Sequence, residues 1–311
     1  MMKIAFQMNP MNELNFTTDT SWQLMLEGDL RGEVYHFTPR NLSWNNGELV
    51  TDVQKVKIKG SSYDLGEYKR MNLAEMDVIF IRQDPPYDMG YLTTTYMLEK
   101  ISDQVLIINN PKAIRDFPEK ISVLDYLDFI PPTLISYSID EARDFAKNYN
   151  KVILKPLYSF AGNDVFCVNA NDINFSNIVS NLTEIYKAPV IVQEFLEGIK
   201  NGDKRIILVD GDPVGSYLRM PKADDIRANL ACGGTAVPSE LSERDIKICQ
   251  AIKPCLVKNG LFLVGIDVIS GYITEINITS PTGIVAIKSF CNDNIVKEIW
   301  NKIESLSVKM R

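Results

Sequence analysis

From Leu261 the chain reads Leu-Phe-Leu-Val-Gly-Ile-Asp-Val-Ile, then Ser-Gly-Tyr, then Ile-Thr-Glu-Ile-Asn-Ile-Thr-Ser-Pro-Thr-Gly to Gly283. This spacing predicts two strands joined by a tight turn. Apolar residues dominate, but Asp267, Glu275 and Asn277 interrupt them. A carboxylate on a buried strand is costly unless it is paired or meets a cation. Two carboxylates and an amide offer only oxygen ligands, which suits Mg²⁺. With Ser270-Gly271-Tyr272 as a three-residue loop and its glycine left-handed, Ile269 faces Ile273 and Asp267 faces Glu275. Asn277 then shares their face, because strand side chains alternate. A two-residue loop would turn Asp267 away, so a metal site here requires an odd loop. An ordinary hairpin with solvent-facing acids fits the same residues, and the run alone leaves both readings open.

The chain has 311 residues, more than one hydrophobic core comfortably holds, so two or three domains are expected. We divide it at 1–120, 121–198 and 199–311. Hydrophobic residues make up 45% and the net charge is -7. No basic excess exists to displace phosphate counterions, which argues against a nucleic-acid partner. The five cysteines are scattered, without a C-x-x-C, and read as reduced thiols. The single histidine, His36, sits in the strand-like run Glu33–Phe37 and reads as structural. The first ten residues are too polar for a signal peptide, and no apolar run approaches bilayer length. A cytoplasmic location, with no membrane partner, is the expectation.

Strands are predicted at 3–8, Val34–Phe37, Val53–Ile58, Asp77–Ile81 and Val105–Ile108, alternating with helices at Asp19–Arg31 and Tyr91–Ile101. That alternation implies an open α/β layer with a parallel sheet. Ligands bind such sheets beyond the carboxyl ends of strands, which makes Arg82 and Asp84 candidates for substrate contact. Past Pro131-Pro132 an α+β unit follows: strand Thr133–Ser136, helix Ile139–Tyr149, strands Val152–Lys155 and Asp164–Val168, helix Phe175–Lys187 and strand Val190–Phe195. In the third unit Asp210-Gly211-Asp212-Pro213 signals a hairpin. Residues 220–238 lack periodicity and read as a lid or a disordered loop. Ser242–Lys258 is a capped amphipathic helix, with Pro254 arguing for a kink in its last turn, and a final helix runs from Asn294 to Ser305.

The common nucleotide signatures are missing, so any nucleotide site must be assembled from distant pieces. Lys155 closes a strand and could put one charge on a phosphate. Lys120 offers the same charge. Gln193-Glu194-Phe195-Leu196 presents polar edges and apolar faces that could hold an adenine ring. Lys200–Arg205 places three cations and one acid at the start of a strand. The loop Tyr158–Asn163 could fold over phosphates, but its single glycine, Gly162, leaves its backbone stiffer than a glycine-rich loop. Ser280-Pro281-Thr282-Gly283 could bind a carboxylate or phosphate through hydroxyl and backbone N–H groups. Taken singly, Lys155, Gln193–Leu196 and Lys200–Arg205 are better explained by ordinary structural roles, and Lys120 and the 158–163 loop are weak signals.

In their joint order these segments resemble the ATP-grasp superfamily, and more closely its bacterial glutathione synthetases. The segments carrying the likeness are Arg82–Asp88, Lys151–Leu157, Asn201–Arg205 with Val209–Val214, Arg227–Gly234 and Val264–Gly283. The resemblance implies an N-terminal Rossmann-like domain followed by a two-subdomain ATP-grasp fold. It implies a ligase that joins γ-glutamylcysteine to glycine with ATP through an acyl phosphate, working as a homotetramer. By the same match, Lys120, Lys155, Gly162, Gln193–Leu196, Asp203 and Lys204 would hold ATP. Asp267, Glu275 and Asn277 would ligate Mg²⁺ or Mn²⁺. Arg205, Arg219 and Arg227 would act on the transferred phosphoryl group. Asp19, Arg82, Asn229, Ser280, Pro281 and Thr282 would hold the peptide substrate. Two departures stand out: fewer glycines at 158–162, and Ala223-Asp224-Asp225 where the family's lid carries more glycine. Another carboxylate–amine ligase, or a non-catalytic ATP-binding module, are the competing readings.

Overall fold

The computed structural model describes residues 1–60, 62–160 and 162–310. The elements in order are β1 (Met2–Gln7), α1 (Thr20–Asp29), β2 (Gly32–Phe37), β3 (Ser43–Asn45), β4 (Glu48–Lys59), β5 (Ser62–Asn72), β6 (Val78–Ile81), α2 (Met89–Glu99), β7 (Leu106–Ile108) and α3 (Pro111–Asp116). There follow β8 (Thr133–Ser136), α4 (Ile139–Ala146), β9 (Val152–Pro156), β10 (Phe166–Val168), α5 (Phe175–Tyr186) and β11 (Val190–Glu194). The last group is β12 (Asp203–Val209), β13 (Asp212–Met220), β14 (Thr235–Pro238), α6 (Glu243–Lys258), β15 (Leu263–Ile269), β16 (Tyr272–Asn277), α7 (Ile284–Phe290) and α8 (Ile295–Met310).

The first sheet has the order β3-β4-β2-β1-β6-β7, with β5 paired to β4. Strands β2, β1, β6 and β7 run parallel, as the alternation predicts. The sheet as a whole is mixed, because β4 and β5 add a long antiparallel hairpin. The pattern of β5 hid it. Of its eleven residues only Met71 is buried, so no apolar period marks it. Asp19 caps α1, its carboxylate accepting the N–H groups of Ser21 and Trp22.

The second unit is an antiparallel sheet, β10-β9-β11-β8, covered by α4 and α5. The third is an antiparallel sheet, β14-β13-β12-β15-β16. On one face α6 packs Ile248, Ile252 and Leu256 against Ile206, Val264 and Ile266. Val123 and Ile130 join that same core, so the stretch after Lys120 packs with the third unit rather than the second. On the other face, Ile207 and Tyr217 share a core with Ile284, Ile287, Trp300 and the first sheet's Ile4, Phe6 and Phe80. Trp300 seals this seam: its indole N–H donates to Leu24 O at 3.0 Å. The first and third sheets are thereby fixed to one another. Within 220–238, residues Thr235–Pro238 pair with Met220–Tyr217, so the end of that stretch is a strand.

Candidate active site

The β15–β16 hairpin brings Asp267 opposite Glu275 and Gly265 opposite Asn277. It does so differently from the odd loop predicted. The turn is two residues, with Ile269 opposite Tyr272 and both Ser270 (φ 52°) and Gly271 (φ 77°) left-handed. Val268 still faces Ile273, and the register then shifts so that Thr274 is the extra residue of a β-bulge. The bulge supplies the odd residue. Thr274 donates its hydroxyl to Asp267 O at 3.3 Å.

Strand β12 pairs with β15 so that Arg205 lies beside Asp267, and with β13 so that Asp203 lies beside Arg219. The four side chains form one buried network. Arg205 donates through Nε to Asp267 Oδ1 at 2.6 Å and through Nη2 to Oδ2 at 3.2 Å. Arg219 reaches Asp267 Oδ1 at 3.0 Å and also pairs with Asp203. Burial pushes the Asp267 carboxyl up, and Arg205 and Arg219 more than offset it, to about 2. Burial raises Asp203 to about 6, against the pull of Arg219. Among the described residues Asp203 Oδ1 is buried without a hydrogen-bond partner.

Two cavities meet over this network. The first, with an internal volume of about 140 Å³, opens between the second and third units. Lys155 enters it from β9 and donates to Gln193 Oε1 at 3.0 Å. Burial lowers its pKa to about 8. Lys120 donates to Ser159 O at 2.5 Å and pairs with Glu275 at 2.9 Å. Glu194, Phe195, Leu196, Asp203, Arg227 and Asn229 complete the wall. Gly162 also lines it, at φ +75°, and a Cβ there would stand 2.9 Å from Asn229 Oδ1. Ala161 of the same loop lies outside the described residues. Arg227 folds back on Asp225, donating through Nε at 3.0 Å and Nη2 at 2.8 Å.

The second cavity, about 350 Å³, shares Phe160, Asn229 and Glu275 with the first. Arg205, Arg219, Asn277, Ser280, Pro281 and Thr282 line it. Arg205 Nη1 donates to Thr282 O at 3.3 Å. Asn277 donates to Asp267 Oδ2 at 3.3 Å, which leaves its amide oxygen available. Asp267, Glu275 and Asn277 thus present oxygen donors on one hairpin face where the cavities join. Among the described residues no group of three Asp, Glu, His or Cys side chains is placed to hold a metal ion. A cation here would take the rest of its shell from phosphate and water oxygens, as Mg²⁺ does.

Three predicted positions fall elsewhere. Lys204 points to the opposite face of β12, where it pairs with Asp245 of α6 at 2.6 Å and donates to Glu240 O. Side-chain alternation puts it there, since Asp203 and Arg205 take the site face. Asp19 caps α1, Arg82 Nε donates to Ser21 Oγ at 3.0 Å in the same helix, and neither Asp19 nor Arg82 lines the second cavity. His36 is buried with Nε2 3.0 Å from Asn9 O, and among the described residues no cysteine forms a disulfide.

One residue was missed. Glu119 Oε1 accepts the N–H groups of Ile278 (2.8 Å) and Thr279 (3.1 Å) and the Thr279 hydroxyl (2.9 Å), while its carbonyl accepts Ile276 N–H. It straps the end of β16 to the segment carrying Lys120. Burial and Glu275 raise its pKa. Its only sequence signal was an acid beside a candidate lysine.

Residues 2–115 match the family model for the prokaryotic glutathione synthetase N-terminal domain, and residues 119–292 the model for its ATP-grasp domain. A glutathione synthetase of Rhodopseudomonas palustris is 42% identical over 308 residues, covering 98% of each chain. One from Vibrio parahaemolyticus is 36% identical over 310 residues, again covering 98% of each. Among solved structures, a D-cycloserine synthetase superposes with a TM-score of 0.69 at 13% identity, covering 99% of this chain and all of that one. A peptide-associated ATP-grasp ligase of Chryseobacterium gregarium superposes with 0.67 at 18% identity, covering 98% and 97%. At such identities these two report the fold, which is that of the ATP-grasp ligases.

Proposed function

The chain belongs to the prokaryotic glutathione synthetase family, and on that premise we propose that it joins γ-glutamylcysteine to glycine with ATP. The observation that carries this reading is the junction of the two cavities at Glu275. A phosphoryl group held from one side meets a carboxylate held from the other.

ATP lies in the first cavity, its adenine against Gln193–Leu196 and its phosphates against Lys120 and Lys155. Asp267, Glu275 and Asn277 would hold Mg²⁺ or Mn²⁺, which neutralises phosphate charge when bound. The dipeptide carboxylate lies in the second cavity near Arg205, Arg219 and the 280–282 turn. Its oxygen attacks the γ-phosphorus, ADP leaves, and an acyl phosphate results. Arg205 and Arg219 are already fixed by Asp203 and Asp267, so they stabilise developing charge without reorganising. The glycine amine then displaces phosphate to form the peptide bond. Arg227 and Asn229, on the 221–234 stretch, cover the first cavity and limit water at the acyl phosphate.

Incubation with Mg-ATP, γ-glutamylcysteine and glycine should yield one phosphate per glutathione. Folded protein that releases no phosphate under these conditions would rule the reading out. A screen over other acid and amine pairs bounds the specificity. Among the described residues no helix is long and apolar enough to cross a membrane. We place the enzyme in the cytoplasm as a homotetramer, which light scattering on the purified protein tests.

A further inference from the structure

Free glycine carries an ammonium group near neutral pH, and an ammonium nitrogen has no lone pair with which to attack. The reaction therefore needs a proton acceptor at the second cavity, and none of the groups assigned above supplies one. Arg205 and Arg219 are cations. Three carboxylates line the cavity: Asp84, Glu119 and Glu275.

Two of them are committed. Glu275 is held at 2.9 Å by Lys120 Nζ. Glu119 Oε1 already accepts three donors, and taking a proton there would break the strap to the end of β16. Asp84 differs. Among the described residues its one side-chain hydrogen bond is from the Ser280 hydroxyl, at 3.2 Å to Oδ1. It keeps contact with solvent at the mouth of the cavity. The groups facing it are Arg82, at the end of β6, and the acids Asp19 and Glu13. The exposure of Asp84 lets it pass a proton on to solvent. The hydroxyl that Asp84 accepts belongs to the turn proposed to hold the acyl end, so base and acyl group are tied by one contact.

We propose that Asp84 is the general base that frees the glycine amine. The assignment rests on the ligase reading above. One ammonium N–H bond breaks and an O–H bond forms on Asp84. The freed lone pair attacks the acyl carbon. The C–N bond forms, and the acyl C–O bond breaks as phosphate leaves with its electron pair. Phosphate takes the second proton from nitrogen, and Asp84 returns the first to solvent.

Hydroxylamine separates the steps, because it is unprotonated at neutral pH and captures the acyl phosphate without a base. Wild-type protein and Asp84→Asn are each given Mg-ATP and γ-glutamylcysteine with glycine or with hydroxylamine. The variant should lose about 10²-fold or more in kcat at saturating glycine while forming hydroxamate within about threefold of wild type. Retained hydroxamate formation also shows that the variant is folded. Equal loss of both products, or a glycine defect confined to KM, overturns the assignment. A wild-type protein that makes hydroxamate but no tripeptide instead removes the glycine-ligase reading.

Discussion

Asp267 and Glu275 face each other across a hairpin whose turn has an even number of residues. Two left-handed residues, Ser270 and Gly271, make the turn, and the bulge at Thr274 restores the register that the turn alone would break. Bulges recur beside active sites because they re-aim side chains. Here the bulge lets both acids face the cavities while Val268, Ile273 and Ile276 stay in the core.

The two acids should therefore respond differently to neutral substitution. Asp267 is buried between Arg205 and Arg219, so Asp267→Asn leaves two guanidinium groups without their shared anion. Breaking such a pair costs about 3–5 kcal/mol. Glu275 is partly exposed, and among the described residues its one ion pair is with Lys120. Both variants should lose turnover, but only Asp267→Asn should lower the urea midpoint substantially. Equal midpoints for the two would contradict the network described here.

Lys155 sets an alkaline limit on nucleotide binding. Burial lowers its pKa from 10.5 to about 8, with Glu275 pulling the other way. Below that value the folded protein carries the charge that would meet a phosphate, and above it the charge is lost. KM for ATP should rise about tenfold per pH unit above about 8. Stability moves in the opposite sense. Between about 8 and 10.5 the unfolded chain holds the proton that the folded chain has released, so this lysine's contribution grows with pH. Lys155→Gln should raise KM at pH 7 and abolish the alkaline rise. An unchanged alkaline limb in that variant would assign it to another group.

How much was legible depends on whether a residue's role is local. Period-two alternation located β12, β15 and β16, and with them the site face of Asp267, Glu275 and Asn277. The same alternation could have excluded Lys204, since Asp203 and Arg205 flank it and occupy the other face. The bulge was not legible, because Thr274 reads as one more alternating residue. Neither was β5, whose exposed polar surface carries no burial signal. Glu119 was hidden for another reason: its partners are backbone N–H groups about 160 positions away, and backbone groups leave no mark in side-chain chemistry.

Lys204 provides a test of that face assignment. Its Nζ is 2.6 Å from Asp245 Oδ2, and Asp245 is buried in the capping box that opens α6. Lys204→Met should leave KM for ATP within about twofold of wild type and destabilise the fold by about 1–3 kcal/mol through the unpaired acid. A large rise in KM for ATP without loss of stability would return Lys204 to the nucleotide site.

Glu119 should behave as a positioning residue. Three donors from Ile278 and Thr279 converge on Oε1, and removing that acceptor leaves buried N–H groups unpaired, at about 1–3 kcal/mol. Ser280–Thr282 follow directly, so the loss should loosen the turn that lines the second cavity while leaving Gln193–Leu196 in place. Glu119→Ala should raise KM for γ-glutamylcysteine more than KM for ATP. Glu119→Gln keeps a carbonyl oxygen at the same reach and should recover most of the loss, since the strap needs an acceptor rather than a charge. If glutamine fails as completely as alanine, the carboxylate's charge matters in its own right, and the strap is not the explanation.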